Sequence, residues 1–280
     1  MVDITQGDSS RSVKTASGTI HFHEAGPADG HPVILLHGSG PGATGWSNFN
    51  GQLRTLGDTY RVIAPDMPGW GDSDPVRYEE RNHHQAALDF MDELGIERAT
   101  FVGNSMGGAT SIQVASRNPD RVAQLITLGA GSPGVKLFGA GDGPTEGLKL
   151  LHAAYRDAGP EAMARFVDIF CYDDAFKTPE LVQQRSENAL KHPEHLENFA
   201  AGIGRQRLGV ATEEEVAGIS APTLIIHGRD DRVVHYENGL KLCALIKNSR
   251  LVLINRCGHW AQVEHADEFN RLLADFIANN

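Results

Sequence analysis

Short apolar runs recur along the chain at Val33 to Leu36, Arg61 to Ala64, Ala99 to Val102, Gln124 to Leu128, Thr223 to Ile226 and Arg250 to Ile254. Runs this short and uninterrupted read as strands buried on both faces. Helical segments such as His84 to Leu94 and Gly108 to Arg117 fall between most of them, so the alternation predicts an α/β chain with a mostly parallel central sheet covered by helices. Thr19 to Glu24 alternates apolar and polar positions instead, as an antiparallel edge strand does.

Between Gly131 and about Val210 the strand rhythm stops and the sequence turns helical, with Gly and Pro breaks near Gly141 to Pro144, at Gly159-Pro160, at Pro179 and at Pro193. This predicts a helical lid inserted after strand six, residues 134–210, on a core built from residues 1–133 and 211–280. Leu137, Phe138, Phe166, Phe170 and Phe199 are expected to fill the lid's own core, with some of them turned toward the site below. A terminal helix from about Ala266 to Ala278 closes the core.

The chain has 280 residues, 40% of them hydrophobic and 22% charged, which suffices for one full core. Its net charge of -11, with no basic run to offset it, argues against nucleic acid and anionic membrane as partners. A polar Met1 to Ser12 without an apolar signal segment gives the expectation of a cytoplasmic protein. Cys171, Cys243 and Cys257 are odd in number and widely spaced, as reduced thiols are. His21 with His23, and His83 with His84, lack a third ligand nearby in sequence, so neither metal nor cofactor is expected.

The chemistry gathers at the ends of the apolar runs. Gly103-Asn104-Ser105-Met106-Gly107 follows a strand and opens a helix, the setting in which G-x-S-x-G presents a nucleophilic serine. A serine needs a base and the base an orienting carboxylate. Later strands end in His227-Gly228-Arg229-Asp230-Asp231 and Cys257-Gly258-His259, giving the Ser, Asp, His chain order of the α/β-hydrolases. The fourth position of G-x-x-D selects Asp231 over Asp230. Another strand runs into His37-Gly38-Ser39-Gly40-Pro41-Gly42, where the N–H groups of Ser39 and Met106 would form an oxyanion hole. The loop lacks the lysine of a phosphate-binding loop and the register of a dinucleotide site.

Beyond these motifs, the stretches His37 to Ala43, Trp46-Ser47-Asn48, Gly103 to Thr110, Gly228 to Arg232 and above all Cys257 to Asn270 resemble the meta-cleavage product hydrolases, in particular the biphenyl-pathway members. The resemblance spans nearly the whole chain. It implies an α/β-hydrolase fold and hydrolysis of a carbon-carbon bond in 2-hydroxy-6-oxohexa-2,4-dienoates, 6-aryl ones favoured, through ketonisation and an acyl-serine. It places Ser105, Asp231 and His259 in catalysis and Arg185, on a lid helix, on the dienoate carboxylate. Asn104, Asn48, Gly38, Gly40, Phe170 and Trp260 complete the substrate site, and a homo-oligomer is expected by analogy. Ser39 departs from the glycine common in biphenyl-pathway relatives.

Two other readings compete. The same triad serves an ordinary carboxylesterase, since fold and triad do not fix the acyl group. A non-catalytic receptor on this fold is the second, and the complete set of Ser105, Asp231, His259 and the glycine loop speaks against it.

Overall fold

The computed structural model describes residues 1–138, 143–205 and 210–280. Its strands are β1 (Ser10–Thr15), β2 (Gly18–Ala25), β3 (Pro32–Leu36), β4 (Arg61–Pro65), β5 (Ala99–Asn104), β6 (Val122–Leu128), β7 (Thr223–Gly228) and β8 (Ser249–Ile254). They form one sheet in the order β1-β2-β4-β3-β5-β6-β7-β8. From β4 to β8 every neighbouring pair is parallel, while β2 runs antiparallel to both β1 and β4. The sheet therefore departs from expectation at one edge: β2 is an inner strand, and the edge is β1. Its residues Ser-Arg-Ser-Val-Lys-Thr carry too little apolar pattern to be read as a strand, yet their backbone pairs in full with β2.

The helices are α1 (Gln6–Ser9), α2 (Gly45–Leu56), α3 (His83–Glu93), α4 (Met106–Arg117), α5 (Glu146–Arg156), α6 (Pro160–Phe170), α7 (Pro179–Lys191), α8 (Pro193–Ala200), α9 (Glu213–Ala217), α10 (Glu237–Leu245), α11 (Ala261–Glu264) and α12 (Ala266–Asn279). Alternation along β3 shows why both sheet faces need cover. Val33 and Leu35 join the core beneath α2 and α12, whereas Ile34 and Leu36 join the one beneath α3 and α4. On α12 the buried residues Phe269, Leu273, Phe276 and Ile277 share one helical face, each contributing about 1.5–3 kcal/mol on burial.

The connection from β6 to β7 carries α5 to α8, packed on one another. Pro160, Pro179 and Pro193 are not interruptions within helices; each opens one, where its missing N–H costs no hydrogen bond. Phe166 and Phe170 are buried, but Leu137 and Phe138 are 79% and 71% exposed, against the expectation of a core position. They sit in a loop tethered by its backbone, whose Leu137 and Phe138 N–H groups donate to Glu237. Gly141 lies outside the described residues. No described helix is long and apolar enough to cross a membrane.

Candidate active site

Ser105 stands between the end of β5 and the start of α4 with φ 52° and ψ -110°. A non-glycine residue holds such a conformation only when its surroundings impose it, at a cost of about 1–3 kcal/mol. Here its N–H donates to the Leu128 carbonyl at 2.9 Å and its own carbonyl accepts from Ala109 N–H at 2.9 Å. The flanking glycines are steric requirements. A Cβ on Gly103 would overlap the Gly107 carbonyl, and one on Gly107 would overlap the Leu36 carbonyl. The pentapeptide thus sharpens the turn that lifts the serine off the sheet.

Beyond β7, Asp231 Oδ1 accepts from the N–H groups of Val233 and Val234 at 2.8 and 2.9 Å. Its Oδ2 lies 2.7 Å from His259 Nδ1 and 3.4 Å from His227 Nε2. Burial alone would raise the Asp231 pKa, but the charge and hydrogen bonds of His259 and His227 outweigh it and hold the carboxyl below its usual range. An ionised carboxylate only accepts, so His259 Nδ1 donates to Asp231 Oδ2, and the neutral form of the ring then has its lone pair on Nε2. Asp230 instead accepts from Arg256 N–H at 2.9 Å, away from the imidazole.

Beyond β3, the buried His37 accepts from Met67 N–H at 2.9 Å through Nε2 and donates through Nδ1 to the Gly38 carbonyl at 2.8 Å. Burial lowers its pKa and keeps it neutral, as this donor-acceptor pairing requires. Because the Gly38–Ser39 peptide is planar and trans, fixing the Gly38 carbonyl turns the Ser39 N–H to the opposite side. Trp70 Nε1 donates to Tyr155 Oη at 2.8 Å, and Tyr155 in turn donates to the Ser39 carbonyl at 2.5 Å. Met106 is the first residue of α4, where a helix leaves N–H groups without internal partners.

These elements converge on a narrow cleft lined by Gly38, Ser39, Gly40, Asn48, Asn104, Ser105, Phe170, Arg185, His259 and Trp260, with Ala43 and Leu151 added. Asp231 stands behind His259, and Met106, the first residue of α4, is not among the lining residues. Arg185 is 2% exposed, its guanidinium sits 4.7 Å above the Trp260 ring, and its Nε has no hydrogen-bond partner. Burial lowers its pKa to about 10, so it remains a cation at neutral pH. No carboxylate pairs with it among the described residues. Asn104 donates to the Leu128 and His259 carbonyls at 3.2 and 3.4 Å, leaving its buried Oδ1 without a partner. Asn48 commits its amide N–H to the Thr44 carbonyl at 2.9 Å, so its donor serves the start of α2.

The alpha/beta hydrolase fold family matches residues 31–266. A 2-hydroxy-6-oxononadienedioate/2-hydroxy-6-oxononatrienedioate hydrolase of Cupriavidus pinatubonensis is 42% identical over 99% of this chain and 98% of its own. A 2-hydroxy-6-oxo-6-phenylhexa-2,4-dienoate hydrolase of Comamonas testosteroni is 42% identical over 99% of both chains. Among solved structures, a meta-cleavage product hydrolase from Pseudomonas fluorescens superposes with a TM-score of 0.85 at 34% identity, covering 96% of this chain and 97% of that one. The chain belongs to the meta-cleavage product hydrolases.

Within this hydrolase one carboxylate ties the His259 loop to the helical insert, and the sequence motifs do not single it out. Glu264, 8% exposed, accepts from Gly258 N–H at 2.8 Å and from Tyr172 and Asp173 N–H at 2.6 and 2.9 Å. His259 N–H adds a bond to the Phe170 carbonyl at 2.8 Å. The end of α6 and the histidine loop of the hydrolase are therefore clamped together. Trp70 and Tyr155 acquire their places through partners distant in sequence, while His37 and Glu264 combine a near neighbour with a distant one.

Proposed function

We propose that this hydrolase cleaves the C5–C6 bond of 2-hydroxy-6-oxohexa-2,4-dienoates bearing an uncharged C6 substituent, with 6-phenyl as the type substrate. The products are 2-hydroxypenta-2,4-dienoate and the corresponding carboxylic acid. The observation that carries this reading is Arg185. A buried guanidinium without an anionic partner is costly unless a ligand supplies the charge, and its planar fork suits a carboxylate with an adjacent oxygen. Among the described residues lining the cleft Arg185 is the one Lys or Arg, so with one substrate carboxylate on it a second, at C6, would have no guanidinium or ammonium partner.

In this reading the dienoate carboxylate and C2 oxygen lie on Arg185 with Asn104 Oδ1 accepting nearby. His259 carries the C2 hydroxyl proton to C5, converting the dienol into a ketone that can later accept electrons. Ser105 then gives its proton to His259 and attacks C6, and the oxyanion lies against the N–H groups of Ser39 and Met106. The C5–C6 electron pair leaves into the enone, forming a dienolate whose C2 oxygen receives the proton from His259. Water, deprotonated by His259, opens the acyl-serine, and Asp231 holds the imidazole tautomer throughout. Helices α5 to α8, within residues 134–210, serve as the lid over this chemistry.

An ordinary carboxylesterase is the alternative with the same triad. Stopped-flow mixing with the yellow 6-phenyl dienoate separates the two, with the 6-methyl analogue, the nonadienedioate and an aryl ester run alongside. Rapid bleaching with benzoate release, fastest for the 6-phenyl compound, is expected. Brisk ester turnover with no bleaching of any dienoate would establish the esterase. Tyr155→Phe tests the oxyanion loop: loss of one hydrogen bond to the Ser39 carbonyl lowers kcat about tenfold and leaves KM within about twofold. An unchanged kcat would remove Tyr155 from the arrangement of that loop.

A further inference from the structure

The link from α7 to α8, His192-Pro193-Glu194-His195, brings one donor atom from each of His192, Glu194 and His195 within 4.8 Å of the others. None of the three lines the catalytic cleft. His192 Nε2 lies 3.1 Å from Asp72 Oδ1, and His195 Nε2 lies 3.2 Å from the Gly71 carbonyl, both acceptors belonging to the loop that follows β4. Carboxylates and carbonyls only accept, so each imidazole donates through Nε2, and a neutral ring then has its lone pair on Nδ1.

Those lone pairs lack a donor. His195 is 8% exposed and its Nδ1 has no hydrogen-bond partner. His192 Nδ1 lies 3.4 Å from Glu194 Oε1, a gap closed by a proton when the ring is charged and open to a metal cation when it is neutral. That spacing matches the separation of about 3.4 Å between two donors on one tetrahedral ion with bonds of about 2.0–2.1 Å. Tethering the distal N–H to a carboxylate or carbonyl is also how metal-binding histidines are commonly held. Lys191 Nζ pairs with the same Asp72 oxygen at 2.5 Å, which leaves Asp72 as an orienting group rather than a ligand.

We propose that His192, Glu194 and His195 bind a divalent transition ion of the zinc class through two Nδ1 atoms and one carboxylate oxygen, with water completing the tetrahedron. The ligands sit on the helical insert and their orienting groups on the core, so a bound ion would fasten the α7–α8 junction to the loop after β4. His21 and His23 offer no such pair, because His21 Nδ1 is bonded to Asp66 and His23 Nδ1 to Ser9.

The test is calorimetric titration of the chelator-stripped full chain with zinc chloride alone, in a Cys243→Ser background that removes the half-buried thiol, together with melting curves. One equivalent is expected to bind, with about tenfold or greater loss of affinity in both Glu194→Gln and His192→Gln and a zinc-dependent rise in Tm confined to the parent. Glu194 is exposed, so its variant keeps the fold even if the histidine variants do not. Zinc binding of equal affinity in Glu194→Gln, or no binding to the parent, would overturn the site and leave a proton on His192 as the occupant of the gap. Neither result depends on the reaction at Ser105.

Discussion

Ser105→Ala is expected to reduce single-turnover cleavage of the 6-phenyl dienoate by about 10⁴- to 10⁶-fold, the scale on which loss of a serine nucleophile acts in other hydrolases. Binding of the dienoate should stay within a few fold of the parent, because Arg185 and Asn104 Oδ1 keep their places without the hydroxyl. The backbone should hold as well. Alanine has the same Cβ as serine, and the φ of 52° is imposed by the Leu128 and Ala109 hydrogen bonds and by the flanking glycines rather than by the side chain. Stopped-flow absorbance for turnover and equilibrium titration for binding give the two readouts separately. A folded variant that retains more than about 1% of the rate, or one that no longer binds the dienoate, would refute the assignment.

The parts of this site that were legible in sequence are those whose chemistry is local. Ser105 announces itself because its strained turn demands glycine on both sides, and the overlap that any Cβ on Gly103 or Gly107 would meet shows why. Asp231 is distinguishable from Asp230 by its fourth place in the G-x-x-D turn, and in the structure it is Asp231 that reaches the imidazole while Asp230 accepts from Arg256 N–H. The strands β3 to β7 were legible because burial on both faces demands unbroken apolar runs, whereas β8, the other edge of the sheet, shows such a run although only Ile254 of it is fully buried and Leu253 is 39% exposed. What escaped depends on long-range partners. Strand β1 is recruited by backbone pairing to β2 with mostly exposed side chains, so its sequence carries little trace of it. Tyr155 and Glu264 read as ordinary helix residues until the fold brings them to the Ser39 carbonyl and to three N–H groups around the histidine loop. Leu137 and Phe138 mislead in the opposite sense, since apolar character alone does not establish burial.

Arg185 is where stability and function pull apart, and Arg185→Gln is expected to show both effects. Removing one partner of a buried, hydrogen-bonded charge pair in a complex costs about 2–5 kcal/mol, so kcat/KM for the dienoate should fall about 10²- to 10³-fold. Part of that loss belongs in kcat, because the C2 oxygen beside the guanidinium gains charge as the dienolate leaves, making the contact stronger in the transition state than in the bound substrate. An aryl ester without a carboxylate makes no such contact and should be turned over within about twofold of the parent rate. In the free protein the same guanidinium is 2% exposed, stacked on Trp260 and without an anionic partner. The neutral amide relieves that desolvation at the expense of some stacking, so Tm should hold or rise. Arg185→Lys should recover only part of the dienoate rate, since an ammonium lacks the planar fork. A lowered Tm with equal losses on dienoate and ester would make Arg185 a structural residue of α7. A preserved Tm with a loss confined to the dienoate would mean that the protein carries an unpaired buried charge because its substrate supplies the partner.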